Sequence, residues 1–124
     1  MPEPLALVLY EKLLPGSQLV NRLQDLNYRV QAISDAAMLM ECAEQARPML
    51  VFADLESTRN NVCSAIARLR QNPATKHLPV IAFGSENAPE VQKAAQAAGV
   101  TLIVSEQALL YHLSECLQQA LQVD

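Results

Sequence analysis

Aromatic residues make up only 4% of this chain, although 51% of it is hydrophobic. Its core therefore has to be assembled from Leu, Val, Ile, Ala and Met, which suits helices and parallel strands. Basic residues are scarce as well: 9 Lys and Arg face 13 Asp and Glu, for a formal net charge of −4. No Lys/Arg stripe appears, and this excludes sequence-independent nucleic-acid binding, which needs a basic surface to displace counterions from phosphates. The cysteines, Cys42, Cys63 and Cys116, are odd in number, widely spaced and set in helical patterns. They imply no disulfide framework and read as small core residues in a reducing compartment. No apolar stretch reaches the roughly 20 residues that a bilayer span requires, and the first residues show no signal-peptide pattern. A cytoplasmic location, with no membrane partner, is the expectation. The Gly-rich fingerprints of nucleotide sites are missing too.

What is present is an alternation of two kinds of segment across a length suited to one domain, residues 1–124. Leu5 to Tyr10 reads as a buried strand, and Gln18 to Leu26 as a helix with Leu19, Val20, Leu23 and Leu26 at helical spacing and Asn27 as a left-handed stop. Tyr28 to Ile33 alternates like a half-exposed edge strand. Ser34 is expected to cap a helix through about Ala46, with Asp35 favourable near its amino end. After Arg47-Pro48 comes the apolar run Met49 to Ala53, closed by Asp54.

A helix is predicted from about Asn61 to Gln71, burying Val62, Ala65, Ile66 and Leu69. Val80 to Phe83 is the fourth strand. Glu86 or Asn87 opens the next helix, Pro89 stands in its first turn, Val91, Ala94, Ala95 and Ala98 form its buried stripe, and Gly99 ends it. Val100 to Val104 is the fifth strand. Ser105 is expected to cap a final helix that buries Leu109, Leu110, Leu113, Cys116, Leu117, Ala120 and Leu121. Five strand–helix units with short loops imply one parallel sheet covered on both faces. In such sheets sites lie at the carboxyl ends of the strands, so Asp54 is the first candidate functional residue.

The chain resembles, along its whole length, the receiver domain of two-component response regulators. The most specific stretch is residues 68 to 84, RLRQNPATKHLPVIAFG, supported by Asp54 after MLVFA and by Gly99 before the fifth strand. The resemblance implies an α/β, flavodoxin-like (βα)5 doubly wound sheet with strand order 2-1-3-4-5, an order that general treatments of this fold already give for receivers.

In a working receiver two acidic residues end the first strand and help to hold Mg²⁺. An aspartate ending the third takes the phosphoryl group, a Thr or Ser ends the fourth, and a Lys ends the fifth. By strand ends, the acidic pair falls on Tyr10 and Glu11, the aspartate on Asp54, the hydroxyl on Gly84 with Ser85 one place late, and the lysine on Glu106. The aromatic residue that reports phosphorylation corresponds to Ile103. The pocket is thus a degenerate one. Glu11 with Asp54 would hold Mg²⁺ only weakly. Tyr10 is expected to shield the pocket. Replacing a lysine by Glu106 removes an attraction and adds a repulsion, each roughly 3 kcal/mol at about 6 Å and an effective dielectric of about 20, before screening by water and metal.

The expected function is therefore a stand-alone, receiver-like signalling module, not an enzyme, acting by protein–protein contact with weak or absent phosphorylation at Asp54. Its implied partners are a histidine kinase or a downstream effector. Receivers use the face made by their fourth helix, fifth strand and last helix for partners and dimers, so a homodimer through the last helix and its neighbours is implied too. On that helix Tyr111 with Gln118, Gln119 and Gln122 form a polar outer face carrying one aromatic. Two alternatives stay open: a response regulator phosphorylated on Asp54 with Mg²⁺, and a small flavodoxin-like enzyme or ligand binder. Minor features read as structural. His112 and Cys116, at i and i+4, are too few for a metal site. Pro15-Gly16-Ser17 is an anion loop only if it opens a helix. Met38 and Met40 flank Leu39, so one of the two is expected to be exposed.

Overall fold

The computed structural model describes residues 4–9, 13–33, 35–55, 62–84 and 89–121. Five strands, β1 (Leu5–Leu9), β2 (Arg29–Ile33), β3 (Leu50–Asp54), β4 (Val80–Phe83) and β5 (Leu102–Val104), form one sheet in the order β2-β1-β3-β4-β5. Every pairing is parallel. The helices are α1 (Leu13–Asp25), α2 (Leu39–Ala46), α3 (Val62–Gln71), α4 (Pro89–Ala98), α5 (Glu106–Tyr111) and α6 (Leu113–Leu121). The flavodoxin-like order expected from the resemblance is the observed one.

Side chains of a strand alternate between faces, and this parity divides the core in two. Leu7, Leu9, Val51, Ala53, Val80 and Ala82 pack with Leu39 and Ala43 of α2, Ile66 and Leu69 of α3, and Ala95 of α4. Ala6, Val8, Leu50, Phe52, Ile81 and Phe83 pack with Leu19 and Leu23 of α1, Leu109 of α5, and Leu113, Cys116 and Leu117 of α6. β3 and β4 are buried along their whole lengths. Each fully buried Leu or Phe contributes roughly 1.5–3 kcal/mol, so the sheet's centre dominates stability. β2 is the exposed edge, with only Ile33 fully buried, as its sequence suggested.

Two helices end in the same hydrogen-bonded motif. Asn27, at φ 67°, closes α1 with Tyr28 N–H donating to the Leu23 carbonyl and Asn27 N–H to that of Gln24. Gly99, at φ 103°, closes α4 with Val100 N–H donating to Ala95 and Gly99 N–H to Gln96. Both satisfy carbonyls that a helix end leaves without partners. Ser105 caps α5 as expected, its hydroxyl accepting from Ala108 N–H at 3.0 Å.

Several boundaries differ from the sequence-based expectation. α1 begins at Leu13, ahead of Gln18, so Pro15-Gly16-Ser17 lies within the helix and is no anion loop. Pro15 is tolerated because the first helical N–H groups have no intrahelical acceptor anyway. The second helix starts as a 3-10 turn, Ala36–Met38, in which Asp35 Oδ1 accepts from Ala37 N–H at 2.9 Å; Ser34 lies outside the described residues. Ala94 is exposed, and only Ala95 of α4 is fully buried, with Val91 and Ala98 half-buried. β5 is three residues long. The last helix is interrupted at His112 (φ −125°, ψ 37°), which divides it into α5 and α6. Leu110 is half-buried there, and the Leu121 side chain lies outside the description. Of the two methionines, Met38 is exposed and Met40 packs against the core.

Candidate functional site

The register brings Leu9 beside Ala53, Asp54 beside Phe83, and Phe83 beside Val104. Asp54 thus stands at the carboxyl edge of the central strand, where open α/β sheets hold their sites. It is buried, at 2% exposure, the only charged residue among the fully buried described ones. The chain continues in a turn: Leu55 N–H donates to the Phe83 carbonyl at 2.9 Å, which ties the exit of β3 to the end of β4.

Gly84 follows β4, is buried, and has φ 88°. That is the left-handed region, which glycine enters without cost and β-branched residues almost never adopt. Ile103 lies beside Ala82 in β5, half-buried, on the α2–α4 side of the sheet. Glu106 opens α5; its side chain lies outside the description, as do Tyr10, Glu11, Ser85 and the residues 56–61 that follow β3. Of the sequence-predicted pocket, the structure therefore places Asp54, Gly84, Ile103 and the Glu106 backbone around the ends of β3, β4 and β5. Among the described residues no group of three His, Cys, Asp or Glu side chains converges as metal ligands, and none of the described helices is long and apolar enough to cross a membrane. Cys42, Cys63 and Cys116 are free thiols.

On the predicted interaction helix, Tyr111 is 73% exposed, and Gln118 and Gln119 are exposed. Cys116 is buried in the core and His112 is exposed beside Glu115, Nδ1 to Oε1 at 3.6 Å, so the i, i+4 pair does not meet as ligands. Sequence reasoning missed the opposite wall. Asn21, Arg22 and Asp25 of α1 line an open groove of about 840 Å³ with Leu110 and Tyr111 of α5. The available signal was a polar stripe at 18, 21, 22 and 25 flanking the Leu19/Leu23 stripe of α1. Sequence reasoning also missed Arg70, which donates to the carbonyls of Gly99 (2.7 Å), Lys76 (2.8 Å) and Leu78 and to Thr101 Oγ1 (3.3 Å). Its partial burial pulls its pKa down.

No family model matches the sequence, and no curated protein matches it. The solved structures do. The receiver domain of the sensor histidine kinase PA1611 from Pseudomonas aeruginosa, with a magnesium ion coordinated in its active site cleft, superposes with a TM-score of 0.86 at 18% identity over 96% of this chain and 98% of that one. The chemotaxis protein CheY4 of Vibrio cholerae gives 0.84 at 19% identity over 95% and 98%. The response regulator domain of Thermotoga maritima CheB gives 0.80 at 17% identity over 98% and 98%. Shared over nearly the full length of each chain, the fold of this protein is that of receiver domains.

Proposed function

We propose that residues 1–124 form one receiver-like signalling domain that works by protein–protein contact, with phosphoryl transfer to Asp54 weak or absent. The observation that carries this reading is the backbone at Gly84. A receiver needs a Thr or Ser hydroxyl there, and φ 88° is a conformation that threonine avoids. The departure thus involves the backbone as well as the missing hydroxyl. Ile103 has no ring to swing into vacated space, and Glu106 brings the wrong sign of charge to the position of the family's lysine. Tyr10 shields the pocket in this reading. In this reading the domain is a signalling module and not an enzyme; His77 lies in the loop before β4 and His112 between α5 and α6. Three free thiols favour the cytoplasm, and a histidine kinase or a downstream effector is the partner class.

Mg²⁺ commonly binds through one or two carboxylates, water and phosphate oxygens. Asp54 is the described donor at this edge and Glu11 its companion in the proposal. Two carboxylates fit the ion, but loosely, and when bound it would neutralise phosphoryl oxygens. The test is a titration of the chain with Mg²⁺ and beryllofluoride followed by amide NMR. Shifts confined to the neighbourhood of Asp54, with unchanged affinity for any signalling partner, are expected. Shifts spreading through β5 and α5, or a large change in affinity, would show a working switch.

A second reading is favoured by the retained Asp54 alone: slow acceptance of phosphate with Glu11 holding the metal. Intact mass after incubation with a small phosphodonor distinguishes it, through a labile adduct absent from Asp54→Ala.

A further inference from the structure

We propose that the depression between the end of α2 and the loop before β4 binds a small zwitterion, an α-amino acid with an apolar side chain. The site lies at the amino edge of the sheet and goes beyond the signalling reading. Pro48 and Asp54 are six positions apart, roughly 20 Å of extended chain.

Two parts of the fold make the cavity. Ala43, Glu44, Arg47 and Pro48 line it from α2 and the approach to β3, His77 and Leu78 line it from the loop, and it encloses about 520 Å³. Ala43, Pro48 and Leu78 are buried and give an apolar floor, while Glu44, Arg47 and His77 are exposed at the rim. Apolar surface with a few polar groups, in a volume of this order, is the usual composition of a small-molecule site.

The backbone at Arg47 is an independent observation. The chain ends α1 on Asn27 and α4 on Gly99, residues that enter the left-handed region readily, but it ends α2 on Arg47 at φ 49°, ψ 61°. Arginine lacks that ease. A cation near a helix's carboxyl end is favourable, yet the last turn could supply one without a positive φ. The guanidinium makes no hydrogen bond or ion pair with another described residue, so packing does not account for it. Backbone strain of this kind gathers at ligand sites.

Charge selects the ligand. Glu44 and Arg47 stand one helical turn apart on the same wall without pairing with each other, so both are open to a bound molecule. A simple anion is drawn to Arg47 and repelled by Glu44, and a simple cation meets the reverse. A molecule carrying both signs satisfies both. Its carboxylate meets the planar fork of Arg47, which matches two oxygens at once, its ammonium meets Glu44, and its apolar side chain covers the floor. His77 adds a ring nitrogen from the loop wall, as donor or acceptor.

Amide NMR of the full chain titrated with L-leucine tests the proposal. Saturable shifts at residues 43–47 and 74–78, with a Kd of about 1 mM or tighter, are expected. Isocaproate lacks the ammonium and isoamylamine lacks the carboxylate, and each should bind at least about fivefold more weakly than leucine. Glu44→Gln should erase the preference for leucine over isocaproate. Arg47→Gly should weaken leucine binding at least about fivefold while melting no lower than the parent, because glycine suits a left-handed helix end; binding and folding are thereby separated. Four results would overturn the proposal: no saturable shift up to about 10 mM leucine, either analogue binding as tightly as leucine, Arg47→Gly binding leucine like the parent, or Arg47→Gly melting well below it. None of these bears on the beryllofluoride response at Asp54, so this proposal and the signalling reading fail separately.

Discussion

Arg70 holds Gly99 from two directions: its Nε donates to the Gly99 carbonyl at 2.7 Å, and its side chain fills the space where a Cβ at 99 would stand, 2.9 Å from Cγ. Through the same guanidinium the carboxyl end of α3 is fastened to the approach to β4, at the carbonyls of Lys76 and Leu78, and to the turn after α4. Gly99→Ala should therefore cost about 1–3 kcal/mol, from the strained positive φ and the displaced arginine. Part of that cost vanishes in an Arg70→Ala background. A double-mutant cycle in urea measures the coupling; equal costs in both backgrounds would show that the arginine plays no part.

The loop between α3 and β4 has its own internal anchor. Thr75, 1% exposed, donates to the Leu69 carbonyl at 2.8 Å, while Asn72 Oδ1 accepts from Ala74 N–H at 2.9 Å. Thr75→Val preserves shape and removes the hydroxyl. It should lower stability by about 1 kcal/mol in denaturant titrations, and a neutral result would mean that the carbonyl finds another donor.

Alkaline pH should destabilise the domain. Burial pushes the thiols of Cys63 and Cys116 above their ordinary 9.0, with Glu115 adding to the effect at Cys116, and burial likewise raises the Tyr28 hydroxyl. As pH climbs, the unfolded chain ionises these groups first and gains relative to the folded one. The stabilisation is intact below the unfolded values and is lost as pH rises through the folded ones. Urea midpoints should fall from about pH 9 upward, with a shallower fall in Cys116→Ala. A flat profile would rule this out.

The pocket proposed around Asp54 should respond unequally to substitution. In the proposed reading, Glu106→Lys removes a repulsion and supplies an attraction. Even after screening to about 1 kcal/mol, this should raise adduct formation at Asp54 at least about fivefold with a small phosphodonor. Gly84→Thr should not help and should cost about 1–3 kcal/mol in stability, because φ 88° opposes a β-branched side chain. Intact-mass kinetics and thermal melts decide both.

Periodicity made the sheet legible. Leu50 to Ala53 and Val80 to Phe83 are apolar because both faces of β3 and β4 are covered, and Asn27 and Gly99 stand where helices need a left-handed residue. Ser105 was legible as a cap for the same local reason. The α1 start was not: Pro15 and Gly16 read as breakers, and only position within the first turn makes them tolerable. Ala94 misled because alanine fits a buried stripe and a solvent face equally well. The interruption at His112 has no marker in local composition. At the site, Asp54 was visible from the strand that ends at it. The backbone at Gly84 was not, since glycine in a sequence signals permission for a positive φ without requiring it. Arg70 was hidden because its acceptors, three main-chain carbonyls and the Thr101 hydroxyl, lie in two segments, residues 76–78 and 99–101, that only the fold brings to it.

Parity within the strands has a last consequence. Phe52 and Phe83, the chain's two phenylalanines, project to the same side of the sheet, and Tyr28 joins them, while the opposite layer is built from aliphatic side chains with Met and Cys at its margin. Among the described residues, ring currents from the core therefore act on one layer alone. Methyl resonances of Val8, Leu19 and Leu117 should be widely dispersed, those of Val51, Ile66 and Leu69 should cluster near their free-amino-acid positions, and a methyl-labelled sample would report on the two halves of the interior independently.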